Sequence, residues 1–436
     1  MKLTPSSRVY VIGTVLWLAL TICSLNWADR GGPYFLASLA VAGVAYLLGI
    51  REFFAAPSFP VRVVVFGVAL AALLQLQYLR LPPGVDDDIH RYVWDGRVQR
   101  LGYNPYLLVP SDPANRSLHT ADTRNLNHPE LTSPYPAGAQ LFFRIVTAIH
   151  ESTFALKIAF VICNFVIILV LLDVLRRERR SAHLVLAYAW NPLLAIEVAG
   201  SGHIDILGVL LLLVSFAALG RRWRATAAVA LGVAIAVKFL PIVLLPLYWK
   251  RVRVRDALLA AVVAGLLYIP FVDHGRIPMG SLGTYVETWR FNDPVFDFFA
   301  AELPGPVVAG LAVLIGLLTA AWLRRRSPEW SSDLFGWPMA AALLCAPVVY
   351  PWYLLWLLPF LTSSLTLPVV IWTVSIIPVY MVWHLRALGR PWSDPGWIRL
   401  LEYGSVAIAG VFTALRRSNE KQELVDTEPD AAPSAK

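Results

Sequence analysis

The sequence predicts an all-α polytopic transmembrane helical bundle of about 11 to 13 spans, and three observations carry that prediction. Of 436 residues, 57% are hydrophobic and only 15% charged, the composition of a chain surrounded by hydrocarbon. Apolar stretches of roughly 17 to 25 residues, the length that crosses about 30 Å of bilayer core, recur from Val9 to Leu415. Between them Lys and Arg gather in short clusters, at Arg51 and Arg62, Arg176 to Arg180, Arg221 to Arg224, Lys250 to Arg255, Arg324 to Arg326 and Arg416 to Lys421, as the positive-inside rule requires of cytoplasmic turns. That topology accounts for the formal net charge of +8 without a nucleic-acid partner.

In chain order the spans fall near 9–26, 35–50, 61–79, 155–175, 182–198, 204–220, 256–272, 304–323, 334–350, 352–363, 366–384 and 398–415, with both termini cytoplasmic. The first follows Lys2 and Arg8 as a signal sequence would, but no small-residue cleavage site follows it, so it reads as a retained helix. One stretch resists the alternation. Arg224 and Lys250 both read as cytoplasmic, yet the roughly 25 residues between them suffice for a single crossing. Either the rule fails there, or 225–249 is a re-entrant hairpin whose tip is Lys238-Phe239-Leu240-Pro241, proline supplying the break. Cys23, Cys163 and Cys345 lie far apart in apolar spans, as small core residues with neither a disulfide framework nor zinc spacing. Residues 418–436, charged and without apolar periodicity, read as a disordered cytoplasmic tail following a transmembrane domain over 1–417. The chain shows no internal repeat of the kind transporters carry.

This topology places outside the loop 80–138, the turn 199–203, the loop 273–303, the turn at Tyr350 to Trp352 and the loop 385–397, which hold nearly all the unusual polar residues. The first loop opens with Val85-Asp86-Asp87-Asp88-Ile89-His90-Arg91-Tyr92-Val93-Trp94-Asp95-Gly96-Arg97-Val98. Positions 89, 92 and 93 recur at helical spacing, which predicts an amphipathic helix on the membrane surface, and an Asp at its head suits the N-cap and the helix dipole. Three adjacent carboxylates repel one another and raise at least one pKa, as a general base requires. A turn at Gly102 to Tyr106 follows, then Asn127-His128-Pro129-Glu130-Leu131-Thr132-Ser133-Pro134-Tyr135-Pro136 and a second short amphipathic helix near Gln140 to Ile149. His128 is either a solvated loop residue or part of a site.

The pattern Asp87-Asp88-Ile89-His90-Arg91-Tyr92, followed by Trp94-Asp95-Gly96-Arg97, Asn104-Pro105-Tyr106, His128-Pro129 and Tyr135-Pro136, resembles the first outer loop of GT-C glycosyltransferases. Within that class it looks most like the polyprenyl-phosphate-mannose-dependent branch related to glycosyltransferase family 87 and the α-1,6-mannopyranosyltransferases. The resemblance continues in Asn191-Pro192, Gly200-Ser201-Gly202-His203-Ile204-Asp205, Lys238-Phe239-Leu240-Pro241 and Tyr350-Pro351-Trp352-Tyr353, and so touches most of the chain between Val85 and Phe360. In one departure, the acidic motif follows the third apolar span, where GT-C enzymes carry it after the first; two extra N-terminal helices account for this.

The resemblance implies a GT-C-like fold and an inverting transfer of a hexose, mannose by family, from a polyprenyl-phosphate donor to a lipid or glycan acceptor at the outer face of the inner membrane. Asp87, first of the matched acidic pair, is the expected base, and Asp88 is its alternate or a ligand to sugar or metal; Asp86 caps the helix. No cofactor is implied, although the carboxylates suit a divalent ion. Substrate binding is expected from Arg91, Arg97, His128, Tyr135, His203, Asp205, Lys238, Tyr350, Trp352 and Arg386. Of these, His203, Arg97 and Arg386, together with His384, supply positive charge to a departing phosphate. Each has a plainer role open to it. His203 caps a helix with Ser201 or Asp205, Arg386 snorkels, Lys238 pairs internally with Glu197 or Asp205, and Tyr350 and Trp352 join Tyr353 and Trp356 in an interfacial belt. The rival reading is a secondary transporter or lipid flippase, against which stand the missing repeat and polar groups gathered at one face instead of the midplane. A non-catalytic scaffold leaves the Asp cluster unexplained.

Overall fold

The computed structural model describes residues 3–84, 87–124, 126–327 and 331–427. Among them there is no β-strand, and helices run back and forth between an arginine-rich end and an end where the polar loops meet. α1 (Pro5–Leu25) starts at the arginine-rich end. Thr4 caps it, accepting from the Ser7 amide, and Pro5 occupies the first helical position, where a missing N–H goes unmissed. α2 (Pro33–Ala55) returns and α3 (Val61–Leu79) rises again. Arg8 pairs with Glu52 at 2.8 Å across the base of the α1–α2 hairpin, and the Tyr78 hydroxyl donates to the Leu20 carbonyl at 2.7 Å near the top. There the Trp27 indole donates to the Pro82 carbonyl at 2.7 Å, holding the α1–α2 turn beside the loop that follows α3.

That loop contains α4 (Ile89–Arg100) and α5 (Ala137–Ile149), packed on each other. α4 is not the surface helix its spacing predicts, because nine of its 12 residues are buried. Its arginines find internal partners, its Trp94 and Val98 build a small core with Leu126, and Gly96 lets it close on α5, where a Cβ would meet the Phe143 carbonyl at 2.6 Å. α6 (Thr153–Arg177) descends from a Ser152 cap. The next span is broken: α7 (Val185–Ala189) stops before Asn191-Pro192, and a π-helical turn over Leu194–Gly200 leaves at 67°. Asn191 makes the break tolerable by accepting from the Leu193 amide at 3.1 Å and donating to Thr373 at 2.9 Å.

α8 (Asp205–Gly220) and α9 (Arg224–Val237) are antiparallel neighbours, and the chain reverses again at Lys238 into α10 (Leu245–Tyr248). Lys238 meets Asp205, at the first turn of α8, at 2.6 Å. Tyr248 has already come back along α8, its hydroxyl 2.7 Å from that of Ser215, which donates to Ala227 near the start of α9. Residues 224 and 249 therefore share one end, as a hairpin requires. α11 (Val254–Leu266), the short α12 (Leu282–Thr288) and α13 (Pro294–Ala300), and α14 (Gly305–Arg326) follow. A second hairpin rises through α15 (Asp333–Leu344), turns at Tyr350–Trp352, and descends in 3-10 turns to Thr362. Thr362 donates to Asp333 at 3.0 Å and accepts from Arg180 at 2.7 Å, so one arginine pins both feet. α16 (Leu367–Ser375), α17 (Met381–Ala387) and α18 (Gly396–Thr427) close the bundle.

Eight helices among the described residues are long and apolar enough to span a membrane, or nine if the bent pair counts as one. The sequence suggested more because apolarity does not reveal length. α8, α9 and α15, of 16, 14 and 12 residues, rise only about 24, 21 and 18 Å, and 352–363 coils as 3-10 turns. α18 also continues as helix to Thr427, past the expected start of the tail at 418. The three cysteines are free. Reporters fused after Arg224 and after Trp249 are expected to lie on the same side of the membrane; opposite sides would show a full crossing and break the hairpin.

Candidate active site

The polar loops and the two hairpin tips enclose a cavity of about 770 Å³. Its floor begins with the acidic motif, and the two carboxylates of that motif differ completely in their surroundings. Asp87 does not line the cavity. Arg30 reaches its two oxygens at 2.6 and 3.2 Å, the Gly84 amide adds a bond of 2.6 Å, and the side chain is 5% exposed. Arg30 also donates to Ser201 at 2.6 Å. It comes from the α1–α2 turn, where Gly31 has φ 88° and a Cβ would overlap the Tyr380 carbonyl. Asp88 stands at the N-cap position of α4 without making a capping bond, so its side chain is released into the cavity. One oxygen accepts from Asn127 at 2.6 Å, and the other lies 3.9 Å from Nδ1 of His203. Asp86 lies outside the described residues.

Behind Asp88 runs the turn after the π-helical segment. Gly202 takes φ 80°, and a Cβ there would strike Ile89 at 2.5 Å, so the turn packs directly under α4. His203 is consequently 2% exposed. Its Nε2 is 3.1 Å from Glu197, whose other oxygen accepts from the Tyr380 hydroxyl; its ring stacks on Trp352 at 4.0 Å; its Nδ1 has no hydrogen-bond partner among the described residues. Burial draws the His203 pKa down, but the Glu197 bond and the charges of Glu197, Asp88 and Asp87 outweigh it and leave the pKa raised. Asp205 accepts from both Lys238 at 2.6 Å and the Trp356 indole at 2.7 Å. Lys238 also lies 3.9 Å over the Tyr353 ring and remains 25% exposed to the cavity, so an ammonium with three donors keeps some for a ligand. Of the two internal partners open to Lys238, the structure selects Asp205.

Tyr350 and Trp352 form a wall of the cavity as consecutive members of a ring stack that runs from His203 through Trp352 and Tyr350, 4.3 Å apart, to Phe291 at 4.6 Å. They are thus stacked in the site and not arrayed as an interfacial belt. His128, Tyr135 and Arg386 also line the cavity. Arg91 borders it, but its guanidinium donates to the carbonyls of Asn127, His128 and Leu131 at 2.6 to 3.2 Å, holding His128 at φ 45°. His203 and Asp205 lie behind the cavity wall, and two more expected residues face elsewhere. Arg97 pairs with Glu151 at 2.7 Å and bonds the Leu118 carbonyl, and His384 is tied to Asp29 at 2.6 Å; neither lines the cavity. Beneath the loop Asp95 is fully buried, accepting from Ser133 and Gln140, and burial lifts its pKa to about 6.

Sequence reasoning passed over Arg30, Asn127, Arg290 and Tyr285. Arg30 carried a usable signal, since a lone arginine in a short loop on the side opposite the clusters runs against the positive-inside rule. Arg290 and Tyr285, which line the cavity, sit in a loop without a motif. Among the described residues no three His, Cys, Asp or Glu side chains converge as a metal site.

One family model, described as "Alpha-(1->6)-mannopyranosyltransferase, N-terminal domain", matches residues 31–252, half of the chain. The match takes in Asp87, Asp88, His128, His203, Asp205 and Lys238 and ends before Tyr350. No curated protein and no solved structure matches. As for the clamp beneath the motif, Arg30→Met strands a buried carboxylate and is expected to destabilise the protein by about 3–5 kcal/mol. Unfolding in detergent measures this, with Arg30→Met/Asp87→Asn recovering part of the loss; an unchanged melt would show that the clamp is dispensable.

Proposed function

Since the chain belongs to the alpha-(1->6)-mannopyranosyltransferase family and is a multi-pass membrane mannosyltransferase, we propose that it draws mannose from a polyprenyl-phosphate donor with Asp88 as the general base. The observation that carries this reading is the contrast within the acidic pair. Asp87 is paired with Arg30, whereas Asp88 meets the cavity with no arginine or lysine among the described residues in contact with it. A carboxylate locked in two charge-assisted bonds is turned away from solvent, so it suits an anchor; one that meets the cavity with only the Asn127 amide and the Tyr135 hydroxyl as hydrogen-bonding neighbours has lone pairs to offer.

In the reaction the acceptor hydroxyl gives its proton to Asp88 as its oxygen attacks the anomeric carbon. The bond from that carbon to the phosphate oxygen breaks, its electron pair leaves with the phosphate, and the configuration inverts. Lys238 and Arg386 stand where positive charge meets the phosphate as its negative charge grows. Leu240, Leu282 and Leu343 on the cavity wall accommodate the first isoprene units, which a charged wall would exclude. The acceptor is a lipid or glycan. The cavity end lies opposite the arginine clusters, which supports a reaction at the outer face of the plasma membrane by the positive-inside rule.

Asp88→Asn keeps shape and a donor-binding surface but cannot take a proton. It is expected to lower kcat by about 10² to 10⁴-fold with little change in KM for a polyprenyl-phosphate mannose. Asp87→Asn is expected to lose activity in proportion to lost stability; a stable but inactive Asp87→Asn beside an active Asp88→Asn would return the base to Asp87. Orientation is tested at Ser117, which is exposed, whereas Ser133 is buried against Asp95. A cysteine replacing Ser117 is expected to react with a membrane-impermeant maleimide in intact spheroplasts, and labelling only after permeabilisation would invert the topology.

A further inference from the structure

Within the site one buried side chain has an orphaned nitrogen aimed at the proposed base. His203 does not line the cavity, so it cannot touch the departing phosphate; it lies behind Asp88, between that carboxylate and Glu197. Glu197 Oε2 fixes the imidazole through Nε2–H, and Tyr380 occupies the other Glu197 oxygen, which leaves Nε2 as the protonated nitrogen of the neutral ring. Nδ1 then carries the lone pair, it has no hydrogen-bond partner among the described residues, and it points to Asp88 Oδ2 at 3.9 Å. The stack on Trp352 and the tight turn at Gly202 hold the ring in that attitude. An unpaired nitrogen on a side chain 2% exposed costs stability that packing alone would have avoided with an apolar residue.

We infer that His203 is the second station of a proton relay, Asp88 to His203, with Glu197 and Tyr380 as positioning residues. This rests on Asp88 being the base. The acceptor O–H bond breaks as an O–H bond forms on Asp88; that bond then breaks as Nδ1–H forms on His203 after a small movement of the Asp88 side chain, since such contacts tighten on substrate binding. The imidazolium lies between two carboxylates, Asp88 restored and Glu197, which stabilises it; once the products have left, Nδ1–H breaks as the proton returns to Asp88, which faces the cavity and passes it to water. Asp88 is thereby prevented from returning the proton to the new glycosidic oxygen.

The relay ties the rate to the ionisation of His203, which must be neutral to receive. The groups that face it are Glu197 and, through Glu197, Tyr380 from the bundle, Asp88 and Asp87 from the head of α4, and Arg30, which balances Asp87. Because these carboxylates raise its pKa, the acid limb of kcat is expected at or above the ordinary histidine value of about 6.5, activity falling as pH drops through it. The experiment is kcat against pH, from about pH 5 to pH 9, with purified full-length protein, a polyprenyl-phosphate mannose donor and an α-mannoside acceptor. His203→Gln is expected to lower kcat by about 10 to 10²-fold and to remove that limb. Glu197→Gln, which takes away the largest raising influence, is expected to move the limb to lower pH, and Tyr380→Phe, which leaves Glu197 a stronger acceptor for His203, to move it up. Those opposite shifts are what a purely structural role would not give, and they stand even if His203→Gln fails to fold. If Asp88→Asn is inactive but the limb stays in place in the Glu197 and Tyr380 variants, the relay is overturned while the base stands; an active Asp88→Asn overturns both.

Discussion

The Arg30–Asp87 pair is the interaction on which the rest of the site depends. It joins three elements distant in sequence: the α1–α2 turn that supplies Arg30, the head of α4, and the turn at Ser201, which Arg30 also holds. Two unpaired charges at this depth would each be costly; a bidentate pair with a third bond to Ser201 satisfies both. Its consequence is rotational. Successive residues at a helix start point about 100° apart, so seating Asp87 against Arg30 turns Asp88 into the cavity.

The remaining polar groups are brought to the same place by chain reversal. In a bundle whose helices are apolar on most faces, a lysine and a run of aromatic residues reach the site only on hairpin tips, at Lys238 and at Tyr350–Trp352. The feet of the second hairpin are fixed at the arginine-rich end, where Arg180 bonds Thr362 and Ser332. The arginine clusters therefore do more than orient the chain in the membrane; one member sets how far that tip stands from Asp88. The first hairpin is fixed at its tip instead, by the bond from Lys238 to Asp205.

Three pairs of ionisable groups frame the site: Arg30 with Asp87, Lys238 with Asp205, and His203 with Glu197. Each pair couples an element of the wall to one of the bundle, as expected where irregular backbone faces a polar cavity inside an apolar protein. Asp88 lacks an arginine or lysine partner among the described residues, and with Asn127 on one oxygen and the His203 ring beyond the other it is placed for proton transfer.

Much of this was legible in the sequence. Hydropathy and charge spacing determined an all-α membrane bundle, the end at which the polar loops gather and the break at Lys238, because apolarity, helical period and proline act within a few residues; the motifs Asp87-Asp88, His203 to Asp205 and Tyr350 to Trp352 were legible through their resemblance to the family. What those signals do not contain is which way a side chain turns. That Asp88 and not Asp87 faces the cavity was decided by Arg30, 57 residues away; that Lys238 pairs with Asp205 and not Glu197 was decided by antiparallel packing of α8 and α9; that Arg97 leaves the site for Glu151 was decided by the burial of α4, which its amphipathic spacing did not announce. In each case a charge taken out of water accepts whichever opposite charge the fold brings within hydrogen-bond reach, and that choice exists only once distant segments have been packed together.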